Sequence, residues 1–208
     1  MYLVLRRGAL EDLSHAGALA GAAAVACVRA FAEDPAYAEA LAAWRERPGK
    51  VCLRARTEPQ WRGVLEEPHT LAGEADGAGV VALPPRRRSE RGPLLERLQA
   101  MSSELAPPAA GAEVGGREAG VMTYLLNPGA PMSSGKTIAQ VAHAAVMAAD
   151  EPGLAGWVAA GCPGRVLTPS RDAFARAASG PLAARVEDAG LTEVPPGTVT
   201  VVALAPAE

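Results

Sequence analysis

Lysine is almost missing from this chain of 208 residues: only Lys50 and Lys136 occur, and arginine supplies the rest of the 20 basic side chains. Where a surface cation would serve, the chain uses arginine. Lys136 therefore stands out as a place where a compact, three-donor ammonium is wanted in preference to a planar guanidinium. Cysteine is scarce too. Cys27, Cys52 and Cys162 are odd in number, with no Cys-x-x-Cys pair and no histidine near them at ligand spacing. A disulfide framework and a structural zinc site are both disfavoured, and a reducing cytoplasm is the expected setting. No apolar run reaches the roughly 18–20 residues of a membrane span. The opening "MYLVLRRGALEDL" reads as a strand and not as a signal peptide, because its arginines follow the apolar stretch. A formal net charge of −3 argues against a dedicated nucleic-acid coat, although "RRRSER" (86–91) concentrates positive charge locally.

The composition, 49% hydrophobic and 21% charged, is that of a soluble globular protein, and the length allows two small domains. The same order of words is written twice. "YLVLRR" (2–7), an Ala-rich helix (16–34), a helix ending in Trp44, "PGKVCLRA" (48–55), a helix at "EPQWRGVLEE" and "GVVALPP" (79–85) make the first half. "TYLLNPG" (123–129), "GKTIAQVAHAAVMAADEP" (135–152), Trp157, "PGRVLTPS" (163–170), "RDAFARAASG" and "GTVTVVALAP" (197–206) make the second. The words PG[KR]V and VVAL.P recur about 120 residues apart. This pattern predicts an α/β fold of two repeated small mixed-sheet units flanked by helices. The halves span 1–92 and 121–208. Between them, 93–120 holds an amphipathic helix over 92–105 and a Pro/Gly/Ala linker.

The helix at 135–152 carries three residues that an alanine face does not need. Lys136, Gln140 and His143, spaced i, i+4, i+7, share one face. Setting "AGALAGAAAV" (16–25) against "GKTIAQVAHA" (135–144) puts Gly17, Gly21 and Ala24 opposite them, so the first half is blank where the second is polar. A lysine in the first turn sits against the positive end of the helix dipole, a placement that favours function over folding. As a first-turn residue it is expected to add little to packing. "SSGKT" is not a phosphate-binding loop of the Walker type: five residues separate Gly129 from GK, and Pro131 removes a backbone N–H. The second informative stretch is "VEDAGLTEVPPGTVTVVALAP" (186–206), with Asp188, Thr192, Thr198 and Thr200 around turns at Gly190 and Gly197. Loops at strand ends converge on helix N-termini in α/β sheets, which would bring Asp188 and Thr192 to the Lys136 face.

"SSGKTIAQVAHAAV" and "DAGLTEVPPGTVTVVALAP" together resemble the type II peptidyl-tRNA hydrolases, whose motifs read GKGK.AAQ..HAAV, then P.KVV, then DAGRT.I.PGS.TVL.IGP. The resemblance covers about 121–206 in order and spacing. It implies hydrolysis of the ester between a peptide and the 3′ end of tRNA, on a small mixed sheet that usually forms a homodimer. Lys136, Gln140, His143, Asp188, Thr192, Gly197, Thr198 and Thr200 fall on matching positions. Ser134 replaces the first motif lysine, Leu191 replaces the arginine after DAG, and "NPGAP" replaces the charged residues after the first strand.

The expectation is a cytoplasmic ester hydrolase without metal or other cofactor, acting on peptidyl-tRNA or N-blocked aminoacyl-tRNA. Lys136, Asp188 and Thr192 are the expected catalytic residues. Gln140, His143, Thr198 and the cations Arg86, Arg87 and Arg88 are the expected substrate-binding ones. An ammonium near Asp188 would depress its pKa, so that it orients water more than it takes a proton. Two alternatives stand beside this: an aminoacyl-tRNA-dependent acyltransferase, and a tRNA- or ribosome-binding module without turnover. The first half reads as a degenerate copy that takes the place of a second protomer, making the chain a monomeric pseudo-dimer with no membrane association.

Overall fold

Two mixed sheets face each other across a pair of helices in the computed structural model, which describes residues 1–102 and 104–207. The first half runs β1 (Tyr2–Arg6), α1 (Leu13–Phe31), α2 (Ala38–Glu46), β2 (Val51–Ala55), α3 (Glu58–Glu66), β3 (Thr70–Gly73) and β4 (Gly79–Leu83). A short α4 (Gly92–Arg97) and β5 (Gln99–Ala100) follow. The second half runs β6 (Met122–Leu126), α5 (Ser134–Ala149), α6 (Ala155–Ala159), β7 (Gly164–Leu167), α7 (Arg171–Ala178), β8 (Ala184–Asp188) and β9 (Thr198–Leu204).

The sheets order as β3-β4-β1-β2-β5 and β8-β9-β6-β7. β1 and β2 are parallel, as are β6 and β7. β4 lies antiparallel to β1 and β3, and β9 antiparallel to β6 and β8. Four strands of each sheet thus share one order and one set of directions, so the two halves are repeats in topology. The strand register refines the repeat. Tyr2 pairs with Leu83 and Val51, and Thr123 pairs with Leu204 and Arg165. Val51 therefore corresponds to Arg165, and Lys50 to Gly164. The shared word PG[KR]V is one residue out of step with the fold, and a one-residue step turns a side chain to the other face of a sheet.

The helices need a similar correction. Asp12 caps α1 and Ser133 caps α5, and alignment on the caps sets His15 opposite Lys136, Leu19 opposite Gln140 and Ala22 opposite His143. Gly17 and Gly21 serve packing instead. A Cβ on Gly17 would come 3.2 Å from Val166 Cγ2, and one on Gly21 would come 3.1 Å from the Ala145 Cβ. α1 and α5 lie against each other along these small residues. α1 covers β3 and β4 of its own sheet and reaches β7 of the other; α5 covers β8 and β9 and reaches β2. The core they share includes Leu3, Leu5 and Cys52 from one sheet and Met122, Tyr124 and Val166 from the other. The outer faces are closed by Trp61 and Val64 of α3 with Leu95 of α4, and by Phe174 of α7.

α1, 19 residues with mean hydropathy 1.3, is long and apolar enough to cross a membrane, but its buried stripe is spent on α5 and the sheets. The stretch 92–105 is not one long helix. It turns extended at Leu98, and Gln99–Ala100 pair with β2, whose backbone edge would otherwise be open. Ser103 and Glu208 lie outside the described residues.

Because the α1–α5 contact has no room for a branched chain, Gly21→Leu should lower stability by about 1–3 kcal/mol, read as a reduced midpoint in thermal unfolding. An unchanged midpoint would show that the helices do not meet along this line.

Candidate active site

Asp188 ends β8, and its direction follows from strand alternation. Ala184, Val186 and Asp188 are buried while Arg185 and Glu187 are exposed, so the carboxylate points with the apolar residues toward α5. A register shift between Val186 and Glu187 lets the strand end bend into the following turn. Gly190, at φ +75°, closes that turn; a Cβ there would lie 2.5 Å from Pro196 Cδ. The Gly190 N–H donates to Asp188 Oδ1 at 2.9 Å, and Gly197 N–H donates to the Asp188 carbonyl at 2.8 Å.

From α5 the polar face meets this carboxylate. Lys136 Nζ donates to Asp188 Oδ2 at 2.5 Å and to Thr192 Oγ1 at 3.2 Å. One turn further, Gln140 Nε2 donates to the same Oδ2. The side chains are only 13% and 8% exposed at Lys136 and Asp188, so water screens this pair little. Burial pulls the Asp188 pKa up, but the Lys136 ammonium, the Gly190 N–H and the Gln140 amide outweigh it, and the carboxyl is held below its ordinary value of 3.8. His143 lies on the same face. Burial and the Lys50 ammonium push its pKa down to about 3 against a weaker pull from Asp188, so the ring is neutral at physiological pH.

The helix N-terminus is held by a residue the motifs did not single out. Ser133 caps α5 through Oγ, which accepts from the Lys136 N–H at 3.2 Å. Glu193 then accepts from Ser133 N–H at 2.7 Å and from Ser133 Oγ at 2.8 Å. A carboxylate of the protein thus occupies the anion-favouring end of the helix and ties the 189–193 loop to α5. On the far side, α5 rests on the segment between the halves: Gly135 N–H donates to Ser102 O, and Leu105 N–H donates to Ser134 Oγ. A Cβ on Gly135 would lie 2.4 Å from Met101 O, and Ser134 is 3% exposed. The serine that replaces a motif lysine therefore faces packed backbone.

These groups line a cleft of about 750 Å³. One wall is Lys136, Gln140, His143, Asp188 and Thr192; the other comes from the first half, at Glu46–Cys52 with Ala100 and Met101. The other expected residues lie elsewhere. Thr198 Oγ1 donates to Pro195 O within the turn, and Thr200 is buried with its hydroxyl on Val186 O. Arg86 is paired with Glu67 at 3.0 Å, while Arg87 and Arg88 are exposed and outside the cleft. A second cavity of about 510 Å³ occupies the corresponding place in the repeat. It is lined by His15, Leu19 and Ala22 of α1, Gly73 at the end of β3, and Pro163 and Gly164 from the second half. β3 turns back at Gly73 and does not extend to an aspartate. Among the described residues no group of three or more His, Cys, Asp or Glu is placed to hold a metal ion.

Residues 121–208 match the family model for peptidyl-tRNA hydrolase PTH2, a span that contains every second-half residue of the cleft. No curated protein and no solved structure matches the chain.

Burial of the Lys136–Asp188 pair overturns the expectation that Lys136 adds little to stability. Lys136→Met leaves the carboxylate buried with only neutral donors and should cost about 3–5 kcal/mol at pH 7. Asp188 has a lowered folded-state pKa, so its ionised form stabilises the fold above the ordinary 3.8, and that contribution is lost as pH falls through the folded value. The difference between wild type and Lys136→Met in urea unfolding should therefore shrink at pH 3. An equal difference at both pH values would contradict the pairing.

Proposed function

We propose that the cleft hydrolyses the ester joining an acyl group to the 3′ end of tRNA, with peptidyl-tRNA or N-blocked aminoacyl-tRNA as substrate. The observation that carries this reading is the buried Lys136–Asp188–Gln140 cluster, open to a cleft and lying within the span matched by the peptidyl-tRNA hydrolase family. In this mechanism Asp188 accepts a hydrogen bond from the attacking water. Its low pKa makes it an orienting acceptor more than a proton acceptor, and its Oδ2 is already shared by two donors. The Lys136 ammonium turns from Asp188 to the carbonyl oxygen as negative charge develops there, which is electrostatic stabilisation in a site that excludes most water. The ester C–O bond breaks, the ribose hydroxyl leaves with a proton derived from water, and the acid ionises.

Gln140 keeps Asp188 aimed, and Thr192 gives the ammonium a second acceptor, which fixes its direction. A neutral His143 serves as a hydrogen-bonding and packing wall and adds no charge. Arg87 and Arg88, exposed and without the ion pair that occupies Arg86, are the cations of that run available to tRNA phosphates. The first half is read as a degenerate copy whose task is to supply the opposite wall. The three thiols, all free, suit a reducing cytoplasm.

Release of N-acetylated amino acid from acetylated aminoacyl-tRNA by the purified protein tests this. Turnover should persist in EDTA, and Asp188→Asn should reduce kcat by roughly 100-fold or more. Tight tRNA binding with no release by the wild type would leave a binding module in place of a hydrolase.

A further inference from the structure

The two lysines of the chain line the same cleft, one from each half. Lys136 is explained by Asp188, but among the described residues Lys50 has no carboxylate partner. It lies just before β2, on the wall contributed by Arg47–Cys52, with its Nζ 4.9 Å from the centroid of the Trp44 ring. Trp44 is braced in turn, its Nε1 donating to Gly49 O at 2.7 Å. Burial alone draws the Lys50 pKa down to about 7, with no carboxylate offsetting it.

The repeat supplies an internal comparison. Trp157 is braced in the same way, its Nε1 donating to Pro163 O at 2.8 Å. The strand register makes Gly164 the counterpart of Lys50. The arginine of the matching sequence word, Arg165, pairs with Thr123 and turns to the other side, where Nε donates to Thr123 Oγ1. The cavity lined by Gly164 is the one with His15, Leu19 and Ala22 in place of Lys136, Gln140 and His143. The cleft that has the polar cluster also has the lysine; the cleft without the cluster has glycine.

We propose that Lys50 is the phosphate ligand of the cleft, holding a backbone phosphate of the substrate's single-stranded 3′ end from the first half while the ester lies against Asp188 on the second. This rests on the ester-hydrolase reading for the identity of the substrate, though not for the presence of an anion site. An ammonium held over an indole face in a cleft keeps its stem packed and its head available, and an anion beside it restores the full positive charge that burial disfavours. The residue is a substrate-positioning one: it anchors the tRNA end at a distance from the bond that breaks. It also gives the first half a chemical task in this cleft.

With two lysines in the chain, selective 13C-lysine labelling of the 208-residue protein yields two side-chain signals, assigned with Lys50→Met. Titration with the trinucleotide CpCpA should move the Lys50 signal, and adenosine, which has no phosphate, should leave it in place. In turnover, Lys50→Met should raise KM at least about tenfold with kcat within about twofold, and Lys50→Arg should recover most of the loss, as expected for a charge-assisted contact. Circular dichroism checks that both variants fold. A Lys50 signal unmoved by CpCpA, or an unchanged KM in a folded Lys50→Met, overturns the proposal even if the wild type turns over substrate normally. A Lys50 signal that moves with CpCpA in a protein that releases no acyl group retains the anion site and removes the hydrolase reading.

Discussion

The close approach of α1 and α5 governs the rest of the molecule. A strip of glycine and alanine lets two helices from different halves meet where larger side chains would hold them apart, and Gly17 and Gly21 are where the tolerance is smallest. Because the helices meet, each extends over a strand of the opposite sheet, α1 over β7 and α5 over β2. Neither sheet is covered by its own half alone. The inner face of β2 is completed by α5, and the polar side of α5 then faces the segment that leads into β2. The cleft is a by-product of that exchange: its two walls belong to different repeats.

Within the cleft a single carboxylate gathers the polar contacts. Asp188 is buried, a condition that favours its protonated form, yet three donors from two elements keep it ionised. Replacing such a pair with well-packed apolar residues is often neutral or stabilising, so it is weak evidence for a purely structural role. The repeat makes the same point, since the equivalent cavity has His15, Leu19 and Ala22 in place of Lys136, Gln140 and His143 and no aspartate at the end of β3, and the fold around it is intact. The cluster is present on one side only, and the fold of the other half stands without it.

Much of this was legible in the sequence, for reasons that can be named. Lys136, Gln140 and His143 declare a helix face because helical periodicity is short-range and alanine around them leaves nothing else to explain. The recurring words declare a repeat and its sheet class. The exact correspondence was not legible, because the stretch between the long helix and the second strand differs in length between the halves. A word such as PG[KR]V can persist while its strand register shifts by one, so Lys50 and Arg165 look equivalent and point to opposite faces. Likewise the helix words align Lys136 with Gly17, whereas the caps Asp12 and Ser133 align it with His15. β3 and β8 are short, partly exposed strands that carry little signal of their own, and the 92–105 leucines have helical spacing although β2 needs an edge partner. Glu193 gave no signal because its role depends on a loop folding back sixty residues along the chain onto Ser133.

If the shared helix pair is the basis of the structure, one chain already contains both partners of the interface, and no second copy is needed to cover either sheet. Sedimentation equilibrium of the 208-residue chain over a wide concentration range tests this most directly. The account predicts one species of 21.2 kDa throughout. A stable species of twice that mass, with its interface built by α5 pairing with the α5 of a second chain, would contradict it.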